Sequence, residues 1–139
     1  MHNLAPMRPG NSLTWILRAV GVLAAFAPLA TSAGCGGDTD DRPATFSYIY
    51  PAIIEPSCAT ASCHSNYTRS AGVNFGDGED EAYFQLEARH FIIPSDSADS
   101  ELMYLLNAQG ARRMPPDFPL PGVDIALIKA WIDGGGTQN

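Results

Sequence analysis

Two thiols and an imidazole stand together in Cys58-Ala-Thr-Ala-Ser-Cys63-His64. A thiol can form a thioether, a disulfide or a thiolate–metal bond, and a histidine directly after the second cysteine offers a ring nitrogen to a metal. Two thioether anchors and one axial iron ligand are what covalent haem attachment needs. The usual attachment site has two residues between its cysteines, and this one has four. Two other chemistries use the same side chains. Cysteines this close in sequence can reach the Cα separation of roughly 5.5–6 Å typical of a disulfide, which would leave His64 an ordinary surface residue. A zinc site would take Cys58, Cys63, His64 and His90, although adjacent Cys63 and His64 are awkward joint ligands and an oxidising compartment competes for the thiols.

A further chemistry-bearing residue stands in Ala111-Arg-Arg-Met114-Pro-Pro-Asp-Phe-Pro-Leu-Pro121. Prolines at 115, 116, 119 and 121 stiffen this loop, and a stiff loop holds one side chain at a fixed point. The Met114 thioether is a soft ligand that favours ferrous haem and raises its potential when paired with histidine. An isolated methionine more often simply packs.

The elements that must position these residues read as helices. From Thr45, the residues Phe46, Tyr48, Ile49, Ile53 and Ile54 form an apolar segment that Pro51 divides, ending in a short helix that delivers the cysteine pair. Residues 65–78 are a loop rich in Gly, Ser and Asn, with Val73 and Phe75 as apolar plugs. A helix is predicted from about Glu79 to Arg89, its buried face made by Tyr83, Phe84 and Leu86. Another runs from about Ala98 to Asn107, capped by Asp96 or Ser97, with Leu102, Leu105 and Leu106 on one side. The last runs from Asp124 to Asp133, with Ile125, Ile128, Trp131 and Ile132 at helical spacing and a Gly134-Gly-Gly136 stop. Phe91-Ile-Ile93 is the only β-like run. The fold class is therefore all-α, three to five short helices joined by long Pro/Gly-rich loops, and a buried prosthetic group is one way to hold such loops.

The N-terminus bears on where this chemistry would occur. Arg8 and Arg18 flank a polar start, Ala19–Ala30 is uncharged, and small residues precede Cys35. This reads as a secretory signal over residues 1–34, too short and interrupted for a membrane span. Ser32-Ala33-Gly34-Cys35 resembles a bacterial lipobox in which Cys35 is lipidated, with plain secretion as the alternative. Residues 35–44 then form a flexible tether at a membrane surface, and residues 45–139 the domain. From Cys35 onward six Arg/Lys stand against fifteen Asp/Glu, a net charge of −9, which argues against nucleic acid or anionic lipid as partner and is compatible with a basic docking partner. With Cys35 given to the lipid, Cys58 and Cys63 are the only thiols left in an oxidising compartment, where they must form a disulfide, bind a metal or carry a prosthetic group. No nucleophile motif is present, and the carboxylates scatter without a partner histidine, so no enzyme activity is expected.

Taken in order, an apolar helix leading into the cysteines and His64, the Ala71-Gly-Val-Asn-Phe75 loop, a Ser100-Glu-Leu102 helix, Met114-Pro-Pro116 and a terminal helix ending Ala130-Trp-Ile-Asp-Gly134 resemble the small bacterial class I cytochrome c domain, in its lipoprotein-borne and planctomycete-type versions. The resemblance covers about Phe46 to Gly136. It implies a small cytochrome c-like domain with one covalent haem c, bonded through Cys58 and Cys63, with His64 as proximal ligand and Met114 as distal ligand. His90, Met103 or an open iron are the distal alternatives. Tyr50, Phe75, Phe91, Phe118 and Trp131 would line the macrocycle, and Trp131 would pack on the N-terminal helix. The function so implied is an exported, lipid-anchored single-electron carrier with redox proteins as donor and acceptor and the membrane reached by the anchor alone. The rival from another class is a haem-free exported interaction module held by a Cys58–Cys63 disulfide.

Overall fold

A computed structural model describes residues 40–139. The readings of a signal over 1–34, of Cys35 as a lipid carrier and of most of the tether lie outside the described residues. Those described are helical, with no strand among them, and the Phe91–Ile93 run is loop.

The first helical segment is longer than its proline suggests. Helix α1 (Phe46–Ile49) passes into a π turn (Tyr50–Ile54) and on into α2 (Glu55–Ser57). Pro51 does not divide it. A proline has no N–H to give and crowds the carbonyl a turn earlier; the wider π turn absorbs this, with the Glu55 N–H donating to the Tyr50 carbonyl five residues back. Phe46, Ile49, Tyr50, Ile53 and Ile54 all face inward, and Pro51 is exposed. Thr45 provides no side-chain cap, and Asn139 serves instead: Phe46 N–H donates to its Oδ1 at 3.2 Å and Ser47 N–H to its backbone oxygen at 3.0 Å. Just before α1, Arg42 donates to Asp124 at 2.6 Å and so ties Asp40–Ala44 to the start of the last helix.

Helix α3 (Glu79–Ala88) carries three acidic residues in its first turn, where they complement the positive helix end. Its inward residues are Ala82 and Leu86, one turn apart, with Tyr83 half-buried beside them. Phe84 was expected on this face and instead points away from it, 58% exposed. Helix α4 (Glu101–Asn107) begins three residues later than the sequence suggested, because Ser100 is engaged elsewhere. Its buried hydroxyl donates to Asp96 O at 2.7 Å and accepts from Ile93 N–H at 2.8 Å. Asp96 accepts from Asp99 N–H and so closes a turn in front of the helix rather than capping it. Met103 and Leu106 face the core, while Leu102 and Leu105 are half-buried.

Helix α5 (Gly122–Asp133) starts two residues before the expected Asp124, since the Pro121 carbonyl accepts from Asp124 and Ile125 N–H and so builds the first turn. It ends at the glycines as expected. Gly136, at φ +58°, folds the chain back so that its N–H reaches Trp131 O at 2.9 Å. Trp131 is the centre of the core: its ring lies 5.1 Å from Phe46 of α1, and Tyr83 of α3 meets the same phenyl edge-on at 5.3 Å. The expected packing of Trp131 on the N-terminal helix is therefore observed. The indole N–H donates to Thr137 O, so its one polar atom is satisfied.

Two predictions follow from these contacts. Trp131→Ala should cost about 3–5 kcal/mol in urea unfolding, because it removes the side chain that three helices share. Asp133 accepts from Lys129 Nζ and Ser97 N–H, and first the lysine, then Ser97, hold its carboxyl down from 3.8 to about 2. A folded-state value below the unfolded one stabilises the fold above pH 3.8, and that stability is lost as pH falls towards 2. Unfolding midpoints measured across that range should drop, and Asp133→Asn should flatten the drop.

Candidate functional site

Helix α2 ends at Cys58, whose N–H still donates to Ile54 O, so this thiol is fixed by the helix. The chain then makes a small closed loop. Cys63 N–H donates to Thr60 O at 2.9 Å, and His64 N–H returns to Cys58 O at 3.0 Å. Within it, Thr60, Ala61 and Ser62 are exposed, whereas Cys58, Cys63 and His64 are half-buried. The extra residues between the cysteines therefore bulge outward. The Ala61 carbonyl in this bulge accepts from both Ser65 Oγ and Thr68 Oγ1, which fixes it from behind.

His64 is oriented by the backbone. Its Nδ1 lies 3.1 Å from the Ser70 carbonyl, which can only accept, so Nδ1 is the donor and the neutral ring has its free lone pair on Nε2. The Phe75 ring packs edge-on at 5.5 Å from the imidazole, and Phe75 N–H donates to His64 O at 2.7 Å. Behind this loop Gly76 passes so close to the chain that a Cβ there would sit 2.7 Å from Asn66 N, so no larger residue fits. Val73 and Phe75 are buried, as expected of plugs.

Met114 is brought in by the proline loop after α4. Its N–H donates to Leu105 O at 3.0 Å, which clips the proline loop to the end of α4, and Arg113 folds over the loop to donate to Pro115 O and Pro116 O.

These three pieces enclose two adjoining cavities of about 240 and 260 Å³. Cys58, His64, Ala71 and Met114 line both; Cys63, Pro115 and Pro116 line the first, and Phe75, Phe91, Leu102 and Leu105 the second. Cys58, His64 and Met114 thus border both cavities and Cys63 the first, with mostly apolar walls; each cavity alone falls just short of the roughly 300–1,000 Å³ of small-molecule sites, and the two adjoin through their shared lining. No protein-family model matches the chain, and neither a curated protein nor a solved structure does.

Other expectations for the site are corrected. Phe75 and Phe91 line it, but Tyr50, Phe118 and Trp131 do not. Tyr50 is turned into the core, its hydroxyl donating to Phe75 O at 3.0 Å; Phe118 is 82% exposed on a neighbouring proline groove; Trp131 is committed to Phe46. His90 is exposed beyond the end of α3 and borders neither cavity, and Met103 is core, which removes both as axial alternatives. The zinc set fails with His90: among the described residues no three His, Cys, Asp or Glu side chains gather as a metal site. Cys58 and Cys63 are free thiols, not joined to each other. Sequence reasoning missed the Ser70 carbonyl, and no side-chain type could have signalled it, because it is a main-chain oxygen placed by a 3₁₀ turn (Ser70–Gly72). It also missed Ala71 and the cavity-facing side of α4, where Leu102 and Leu105 differ from ordinary core leucines only by position.

Burial, with a smaller contribution from nearby Cys63, pushes the Cys58 thiol up to about 12. In a preparation with free thiols, Cys58 should resist alkylation at pH 8 in the folded state and react once urea unfolds the chain, as read by peptide mass spectrometry.

Proposed function

We propose that the protein is an exported, lipid-anchored c-type cytochrome that carries single electrons between larger redox proteins. The observation that carries this reading is the convergence of Cys58, Cys63, His64 and Met114 on one apolar space, with the His64 Nδ1 proton occupied by Ser70 O so that Nε2 is left to bind iron. A ring nitrogen and a thioether sulfur that border the same cavities, beside two thiols, are a donor set that fits haem c. Haem held by histidine and methionine gains and loses one electron with no substrate bond made or broken.

The chain's own residues supply the rest. The outward bulge of Thr60–Ser62 answers the difficulty of the four-residue spacing, because it takes up the extra chain on the solvent side and keeps both thiols on the cavity side. The Ser70 carbonyl fixes the imidazole plane and raises its basicity. Pro115 and Pro116 hold the loop that presents Met114, and Phe75, Phe91, Leu102 and Leu105 keep water from the space and lower its dielectric. In this reading the fold is a small cytochrome c-like domain, residues 1–34 are a lipoprotein signal and Cys35 carries the anchor. No helix among the described residues is long and apolar enough to cross a membrane, so attachment in this scheme rests on the lipid.

The test is a reduced-minus-oxidised absorption spectrum, with haem staining of a denaturing gel, on protein made beside a cytochrome c maturation system that accepts the longer spacing. Covalent haem with a sharp reduced α band is expected. His64→Ala should abolish the low-spin spectrum. Met114→Ala should keep the covalent haem and lose the sulfur-to-iron band. A colourless protein, also when prepared from its own host, would overturn the reading.

A further inference from the structure

The turn that aims His64 is built from backbone conformations that side chains disfavour. Arg69 (φ +48°), Ala71 (φ +53°) and Gly72 (φ +73°) are all left-handed, and only the last is glycine. Residues stay in that region where the surrounding structure over-determines them. Ser70 sits among them, and its carbonyl accepts from Val73 N–H at 3.1 Å and meets His64 Nδ1 at the same distance. Part of the hold on this turn comes from its own loop, where Ser70 N–H donates to Cys63 O and Arg69 N–H to Ser65 O. The rest comes from Arg89. Its Nη2 donates to Gly72 O and its Nε to Gln85 Oε1 at 2.8 Å, while the Gln85 amide donates to Glu81 Oε1 at 2.7 Å. Residues 81, 85 and 89 stand four apart, so these groups form one row along α3 that ends on the turn. Among the described residues, the bond from Arg89 to Gly72 is the one hydrogen bond that joins Glu79–Arg89 to residues 69–73. The helix behind it is fixed in turn, since Ala82 and Leu86 are fully buried.

A planar guanidinium serves two acceptors at once and so fixes their relative positions, which a point charge would not do. Arg89 lines neither cavity and acts at one remove from them. We propose that Arg89 is a positioning residue for His64: by tying the strained turn to α3 it holds the Ser70 carbonyl on Nδ1, and so sets the tautomer of the ring and the donor strength of Nε2. What this means for a haem iron rests on the function proposed above; the effect on the imidazole does not. A carbonyl that accepts the Nδ1 proton makes the ring more basic, and a more basic ligand favours ferric over ferrous iron. Removing Arg89 therefore has two effects of opposite sign. Losing its charge favours the ferric state through the Coulomb interaction, whereas freeing the carbonyl favours the ferrous one.

The test is the midpoint potential of the haem protein carrying Arg89→Met, a side chain with an apolar stem and no donor. At a fixed poise the ratio of reduced to oxidised protein should rise about ten-fold, an upward shift of about 59 mV for one electron. Gln85→Met leaves every charge in place and removes the acceptor that aligns Arg89, so it should move the potential the same way by less. A potential unchanged or lowered in Arg89→Met would overturn the proposal, because only the lost charge would then be acting. If the protein carries no haem, the function proposed above fails by its spectrum, and the imidazole itself decides the role of Arg89. Nitrogen–proton NMR in alkaline buffer, where histidine rings are neutral, should show His64 of the parent protonated at Nδ1 and Arg89→Met as a mixture of both tautomers. A parent already mixed, or a variant that keeps the Nδ1 form undiminished, would refute it.

Discussion

The contact on which the rest depends is the crossing of the first and last helices through Phe46 and Trp131. Less than half of this domain is regular structure, so its long loops cannot hold themselves; each fixed residue costs about 1–2 kcal/mol of backbone entropy. The Phe46–Trp131 contact brings the two ends of the domain together and closes the whole length between them as one large loop. Tyr83 then adds α3 to the same phenyl, and Asn139 caps the helix that Phe46 begins. With the ends fixed, α2 has only one direction in which to deliver Cys58, and the segment between Cys58 and α3 must turn back on itself.

Apart from the side of α4 that carries Leu102 and Leu105, the walls of the site are largely loop, and they are held by main-chain oxygens rather than by side-chain pairs. His64 is aimed by Ser70 O, the bulge by Ala61 O, the Met114 loop by Leu105 O, and Arg89 and Arg113 are seated on Gly72, Pro115 and Pro116 carbonyls. Such bonds specify geometry without demanding particular partners in sequence. A close-packed interior tolerates few voids larger than a water molecule, so apolar cavities of about 240 and 260 Å³ sharing four lining residues stand out in a domain this small. A large, flat, mostly apolar group held there would supply the packing that these walls do not give one another, and it would stabilise the folded state through the apolar surface it buries.

What the sequence made legible follows from this division. Helices announce themselves by spacing, so α3, α4 and α5 were placed to within three residues, with Trp131 already on its partner helix. The first segment misled at Pro51, because a local rule about proline does not foresee a π turn that tertiary burial of Tyr50, Ile53 and Ile54 makes worthwhile. Phe84 misled for a related reason: hydrophobic type suggested burial, but on a ten-residue helix the small Ala82 at the contact and Leu86 one turn on define the face, and Phe84 lies off it. At the site, the side chains that do chemistry were readable from type and spacing. What positions them was not, since a carbonyl oxygen belongs to every residue alike. The aromatic lining was only half legible, because Tyr50, Phe118 and Trp131 are equally apolar in sequence and differ only in what the fold does with them.

Charge shows the same gap between total and placement. A sum over the chain is dominated by the acidic first turn of α3 and by carboxylates scattered along the loops, and it says that the surface is negative. It cannot say that, among the described residues, Asp40 and Asp124 are spent on Arg42, Asp77 on Arg69 and Asp133 on Lys129. Coulomb interactions at a surface fade over about 10 Å at ordinary salt, so an approaching molecule responds to how the charges are paired near its point of contact more than to the distant total.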